Sequence, residues 1–239
     1  MLNVHLASAR TPPEDEPKLL HPGELARYKS TWIYDGRDLI RKLYVGRTVK
    51  VLVDFVKPGR GEGKKEKIFA TVKDGNVNLA AVAIAEGLAT VVHPARDTDP
   101  RSSELEDLVR TEVSAKKRCV GVHGKCKPKF SPKVLPANHQ LALKNLPLMQ
   151  SSGRMKAVVE EIMPDWELRL FSLEHHFVIN FVMAGINKKE FSHEAKVHLQ
   201  IAILQRDVRV TIVDIDEAGK FRGEGVMGHI FYARDNIVV

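Results

Sequence analysis

Only two cysteines, Cys119 and Cys126, occur in the 239 residues. Both lie in a lysine-rich stretch, and their spacing suits neither a two-residue zinc knuckle nor a redox pair, although His123 stands between them. We read them as free thiols. No apolar run is long enough to cross a bilayer, and no signal-peptide order of charged, apolar and small residues opens the chain. The expectation is a soluble protein of the cytoplasm, with the nucleus as a second site and no membrane partner. Aromatic residues make up 6% of the chain, so few rings are available for stacking contacts of any kind. The most informative shortage is of acid: after Glu112 no aspartate or glutamate appears until Glu160, while ten lysines and arginines do.

What is present fills one large core or two smaller ones, at 44% hydrophobic and 28% charged residues. The net charge of +7 is unevenly placed. Residues 1–150 hold 26 lysines and arginines against 17 acids, and residues 151–239 hold 11 against 13. Two basic groups stand out. One is the loop group Lys57, Arg60, Lys64, Lys65 and Lys67; the other is the acid-free group Lys116, Lys117, Arg118, Lys125, Lys127 and Lys129. Each is either a solvated surface or a phosphate-binding one.

The segment 79–85, LAAVAIA, is apolar on every face and must be a buried helix. Asp74-Gly75 turns the chain into it, and Gly87 is free to take the left-handed turn that ends it, with Leu88 folding back. Upstream, residues 2–7 alternate like a strand, 13–23 form a proline-rich loop, 32–44 a helix closed by Gly46, and 48–55 a strand with Val49, Val51, Val53 and Phe55 on one face. A strand over 68–72 precedes the buried helix and a helix over 103–117 follows it. Residues 138–150 suggest a short connecting helix interrupted by Pro147. Beyond it lie strands over 155–162, 168–171 and 176–182, a helix over 192–205 with Ser192 as its N-cap, and a strand over 207–213 repeating the earlier valine alternation. His175 and His176, as adjacent strand residues, would face opposite ways and make a poor metal pair.

Strand, helix, alternating strand, loop, strand, turn and buried helix recur, the order of a small Greek-key barrel of the oligonucleotide-binding kind. The segments LNVHLASARTP, GRDLIRKLYVGRTVKVLVDFVKP, NVNLAAVAIAEGLATVV and RSSELEDLVRTEVSAKKR, then LPLMQSSGRMKAVVEEI, VINFVMAGI, FSHEAKVHLQ and RDVRVTIVDIDEAGKFRG, together resemble the third and fourth nuclease-like repeats of the Tudor staphylococcal nuclease family. The resemblance implies an α+β chain of two staphylococcal-nuclease-like OB-fold units in tandem, each built on a five-stranded barrel: residues 1–126, without the first two strands; a basic linker with a short helix, 127–152; and residues 153–239, without the last helices. It implies a fragment of a longer protein.

Phosphodiester cleavage needs carboxylates to hold a metal ion, a base or bound hydroxide, and arginines to take the growing charge. The family's secreted nuclease carries an arginine, a metal-binding aspartate and a catalytic glutamate at and just beyond strand 3. The corresponding positions here are His5, Arg10 and Pro13 in the first unit and Val182, Asn187 and Glu190 in the second. A second arginine becomes Glu66 and Lys220, and a further aspartate falls at Trp166, beside Asp165. Glu190 alone matches, and as a lone loop acid it carries no assigned role; no metal site and no cofactor are expected. The resemblance thus implies an RNA-binding scaffold, for single- or double-stranded RNA, working with ribonucleoprotein or silencing-complex proteins in RNA silencing, processing and transcriptional coactivation. The alternatives are a calcium-dependent endonuclease acting on RNA and a protein-interaction platform without RNA contact.

Overall fold

The computed structural model describes residues 3–12, 26–27, 32–59, 65–135, 139–163, 166–186, 192–215, 225–232 and 235–236. The chain separates into two compact units, Met1–Glu14 with Ser30–Phe130, and Asp15–Lys29 with Ser131–Val239.

The first unit opens with β1 (Val4–Leu6) and β2 (Ala9–Arg10); β3 (Ala26–Arg27) belongs to the second unit. Helix α1 (Trp32–Tyr44) carries Asp35 in its first turn and Arg41 and Lys42 in its last, matching the helix dipole. Asp38 binds Arg41 at 2.6 Å and Lys42 at 2.7 Å, and Gly46 at φ 86° turns the chain away. The hairpin β4 (Lys50–Lys57) and β5 (Lys67–Asp74) follows, with β1 parallel to β5 on its other edge.

The register of β4 on β5 shifts between Val53 and Phe55. This bulge overturns the expected four-residue face. Asp54 is the extra residue, so Phe55 leaves the valine face and stands opposite Phe69. The bulge also frees the Asp54 carboxylate to accept from Thr71 Oγ1 at 2.7 Å and from the Ser103 amide at 2.8 Å, fastening the loop before the next long helix.

After β6 (Val77–Asn78) comes the buried helix α2 (Leu79–Ala85), then β7 (Thr90–Val91) and α3 (Leu105–Arg118). Asn78 caps α2 by accepting from the Ala80 amide at 2.8 Å and donates to Glu104 at 2.9 Å. Gly87, at φ 65°, ends α2 as expected, and Leu88 folds back to donate to Ala83 O at 2.9 Å. Helix α3 ends on Cys119 at φ 52° and a short 3-10 turn, Gly121–His123. Ala80, Ala83, Ile84, Ala89, Val91 and Leu108 form the core between α2, α3 and the strands. Glu112 is buried there, accepting from the Val91 amide at 2.9 Å and from Lys116 at 2.7 Å.

Burial opposes ionisation of Asp38 and Glu112, but hydrogen bonds outweigh it and leave both carboxyls below their ordinary values, through Lys42 and Arg41 for the first and Lys116 and the Val91 amide for the second. Depressed folded values contribute stability that is complete above the unfolded pKa values, near 3.8 and 4.5, and is lost as pH falls through the folded ones. The first unit is therefore expected to lose stability below pH 4.5 along a steeper line than a Glu112→Gln variant, whose own stability is lower at neutral pH. Urea titrations at pH 7 and pH 3 measure both effects. Parallel pH lines for the two proteins would show that the Glu112 charge is not part of the stability.

In the second unit β8 (Lys133–Val134) pairs with β3, and α4 (His139–Ser151) leads into β9 (Met155–Ile162), β10 (Leu168–Ser172) and β11 (Phe177–Met183). Helix α5 (His193–Ile203), β12 (Asp207–Ile215), β13 (Val226–Tyr232) and β14 (Asp235–Asn236) complete it. Strand β9 joins β10 and β12, β10 joins β11, and β13 closes the circle by pairing antiparallel with β12 and parallel with β11. The result is a closed five-stranded barrel with helices, an α+β fold. Alternate residues fill it: Met155, Ala157 and Val159 from β9, Leu168 and Leu170 from β10, Ile179 and Phe181 from β11, Val210 and Ile212 from β12, with Leu199 and Ile203 of α5 added. Ser192 caps α5 by accepting from the Ala195 amide at 3.2 Å.

Three further expectations are corrected here. Helix α4 runs through Pro147 without interruption. Proline cannot donate to the preceding turn, but Met149 is fully buried in the barrel core and Gln150 donates to Val213 O at 2.8 Å, which holds the helix in place. Lys133–Val134, inside the stretch read as linker, is strand, paired parallel to β11. His175 and His176 lie in the turn before β11, where His175 meets Ser152 Oγ at 2.6 Å and His176 Nδ1 accepts from the Ser131 amide at 3.1 Å. Among the described residues no helix is long and apolar enough to cross a membrane.

Both units share one pattern of pairing. In β1–β5–β4 and in β11–β13–β12 the first pair is parallel, the second antiparallel, and a bulge follows Val53 and Ile212 respectively. Burial differs sharply. Val210, Ile212 and Ile215 are 0%, 7% and 6% exposed, whereas Val51, Val53 and Val56 are 42%, 59% and 46% exposed. Strand β9 lies against β12, but among the described residues β4 pairs with β5 alone.

Candidate nucleic-acid interface

Two members of the loop group, Lys57 and Lys67, are set by the β4–β5 hairpin. Lys57 and Lys67 stand directly opposite across it, and Lys65 is exposed; Arg60 and Lys64 lie outside the described residues. Like charges in direct cross-strand register are destabilising unless an anion offsets them. The acid-free group is more committed to the fold. Lys116 holds Glu112, Arg118 donates to Ala85 O at 2.6 Å at the end of α2, and Lys129 lies 3.5 Å from Asp38 and over the Phe130 ring. The Lys129 and Phe130 amides both donate to the Asp35 carboxylate, at 2.8 and 3.2 Å. Lys117, Lys125 and Lys127 are exposed.

Beside Lys57 opens a cleft of about 320 Å³, bordered by Phe55, Phe69, His93, Pro94 and Asp99. Its rim is held from beneath. Ser8, in the left-handed region at φ 55°, accepts from the Val92 amide through its carbonyl and from the Ser102 amide through Oγ, both at 2.9 Å. Asp99 folds the outer loop by accepting from the amides of Ala95 and Arg96 at 3.0 and 2.9 Å.

The strand 3 position of the nuclease pattern lies here too. His5 pairs with Phe69 across the parallel strands, as Val182 pairs with Met227 in the second unit. The His5 ring stacks on Phe69 with centroids 5.2 Å apart, and Phe69 stacks on Phe55 at 4.7 Å. The Lys57 ammonium lies 5.4 and 5.3 Å from the two phenylalanine centroids. At the position to which the resemblance assigns an arginine, the first unit has a row of rings and the second has the buried Val182. Arg10 is in β2, paired with Thr90; Glu66 is exposed, and Trp166 takes φ 64° beneath Lys196. Pro13, Asp165, Asn187, Glu190, Lys220 and Arg222 lie outside the described residues. Among the described residues no three His, Cys, Asp or Glu side chains gather as a metal site.

The aromatic row was missed by reading alternation alone, which kept Phe55 with the valines. An aspartate in the middle of an apolar strand was the signal of a bulge that could have found it.

No family model matches the chain. It is 31% identical over 211 residues, 80% of its length, to staphylococcal nuclease domain-containing protein 1 of Drosophila melanogaster. It is 24% identical over 87% of its length to the protein of that name in Schizosaccharomyces pombe, and 24% identical over 92% to ribonuclease TUDOR 2 of Arabidopsis thaliana. In each case it spans about a quarter of the relative's length, 23%, 25% and 25%. With a closed five-stranded barrel in the second unit and the same parallel and antiparallel pairing in the first, the chain belongs to the Tudor staphylococcal nuclease family.

Proposed function

We propose that this chain is an RNA-binding module of a multi-repeat scaffold, and that the end of the β4–β5 hairpin is its main phosphate contact. The observation that carries this reading is the direct opposition of Lys57, which borders the cleft, and Lys67 across the hairpin. A phosphate bridging them would turn a repulsive pair into a binding site. The names of the relatives, nuclease-domain protein and ribonuclease, support nucleic acid as the ligand. Lys117, Lys125 and Lys127 form a secondary field, since the other three members of the acid-free group have partners within the fold. Roles in silencing complexes, RNA processing and coactivation belong to the longer protein and are proposed for it.

The testing experiment is a polarisation titration of the chain with single-stranded RNA at several salt concentrations. Each phosphate contact contributes roughly 0.7 to the slope of log affinity against log salt. Binding without salt dependence, or no binding, would reject the reading in favour of a protein-interaction platform. The ribonuclease name also motivates the nuclease alternative, so the titration is repeated in millimolar calcium and in chelator. Affinity is expected to be equal in both and the RNA to stay intact, because the resemblance puts His5 and Val182, neither of them able to act as a guanidinium, where a nuclease of this family has its transition-state arginine. Calcium-dependent cleavage abolished by Glu190→Ala would establish the alternative. Reversing Lys125 and Lys127 together is expected to flatten the slope by less than reversing the hairpin pair does.

A further inference from the structure

The cleft beside Lys57 has walls that phosphate binding does not explain. Phe55 and Phe69 are only partly buried, on a sheet surface rather than in a core. Their mutual stacking accounts for their register but leaves the cleft they border unexplained. Its volume of about 320 Å³ lies at the lower end of the range for small-ligand sites. Its lining joins apolar groups, the two rings and Pro94, to a cation, Lys57, and an imidazole, His93. Both sides are held in place before any ligand arrives. The β4–β5 ladder fixes the rings, while Ser8 and Asp99 anchor the opposite loop.

We propose that this cleft is a stacking subsite for one unpaired nucleobase of a single-stranded RNA, the base extending the row of rings by stacking on the face of Phe55 that Phe69 does not cover, with Phe69 backing it, while Lys57 meets the adjoining phosphate. A flat heteroaromatic ring matches the lining, and an anion next to it matches Lys57 at the cleft and Lys67 opposite it on the hairpin. An aliphatic ligand would leave the cation unanswered, and a free phosphate would leave the rings unused. Lys57 lies over the rings through an exposed contact, which is readily exchanged for a charged partner. Duplex RNA presents no free base face and would engage only the lysines. This deepens the RNA-binding reading and rests on it.

The test compares a short single-stranded RNA with a strand of equal length and charge in which every base is replaced by an abasic site. The base-bearing strand is expected to bind at least about fivefold more tightly, with the same salt slope. A single 2-aminopurine in the strand reports the stack directly, its emission falling on binding. Phe55→Leu combined with Phe69→Leu keeps apolar volume and is expected to remove both the base preference and the quenching, while the salt slope stays. Equal affinity of the two strands for the unmodified chain overturns the subsite and leaves phosphate binding standing. A base preference and quenching that persist in the folded double variant place stacking elsewhere and also overturn it. Failure of both strands to bind overturns the RNA-binding reading itself.

Discussion

Gly121→Ala is expected to destabilise the first unit by roughly 3 kcal/mol. Gly121 sits at φ 54°, and a Cβ there would lie 2.2 Å from Gly87 O and 2.7 Å from Glu86 O. Gly87, at φ 65°, faces it in the same way, its own Cβ position 2.3 Å from Val120 O. The ends of α2 and α3 therefore meet backbone to backbone, drawn together by the Val122 amide donating to Gly87 O at 2.9 Å. No side chain can swing aside, because the atoms in the way are carbonyls. Gly75 supplies the control, since it has φ 58° with nothing within 4 Å of its Cβ position. Gly75→Ala is expected to cost about 1 kcal/mol, the dihedral alone. Urea denaturation of both variants measures the difference, and hydrogen exchange should show lost protection in α2 and α3 while β9–β13 keep theirs. Equal costs for the two substitutions would mean that the glycine contact yields easily.

Reversing the hairpin pair gives the largest expected change in binding. In the Lys57→Glu and Lys67→Glu double variant two phosphate contacts are removed, lowering the salt slope by about 1.4 and the affinity at 0.1 M salt by on the order of 20-fold or more. Stability should move in the opposite direction for the single change. Lys67→Glu places opposite charges across β4 and β5, a cross-strand pair contributing about 0.2–1 kcal/mol. A surface kept at a cost to folding and needed for binding gives that combination: a weaker RNA complex on a more stable hairpin. Polarisation titrations and thermal unfolding of the same preparations measure it. A single variant less stable than the parent, with unchanged affinity, would show that the two lysines do not oppose one another in solution and do not hold a phosphate.

The residues that made the fold legible were those whose role is local. The apolar run 79–85, Gly87 and Ser192 each act within a turn or two, and each holds the place that its chemistry requires. Alternation located β12 because the closed barrel buries one face of that strand, whereas β11 is buried on both faces apart from Asn180. The same rule misplaced Phe55, since a bulge is set by what the extra residue can reach, here Thr71 and Ser103, which lie 17 and 49 residues further on. The basic groups were visible as composition, but which charges remain for a ligand depends on distant partners. Asp38 and Asp35 on α1 engage Lys129 and its neighbour across more than 90 residues of chain, and Ala85 O takes Arg118. The cleft joins β1, the β4–β5 hairpin and the loop before α3, so no window of sequence contains it.

The bare valine face of β4 has a consequence for how the chain behaves as a solute. Val51, Val53 and Val56 form a water-facing β segment of high strand propensity on a strand that, among the described residues, pairs on one side alone. Lysines close that segment at both ends, Lys50 and Lys57, in the position of gatekeepers against intermolecular pairing. Its colloidal stability should accordingly be governed by ionic strength. Salt that screens the two lysines weakens the barrier to sheet-to-sheet association while strengthening the attraction between valines, so sedimentation at rising sulfate concentration is expected to show assembly that Val53→Lys suppresses.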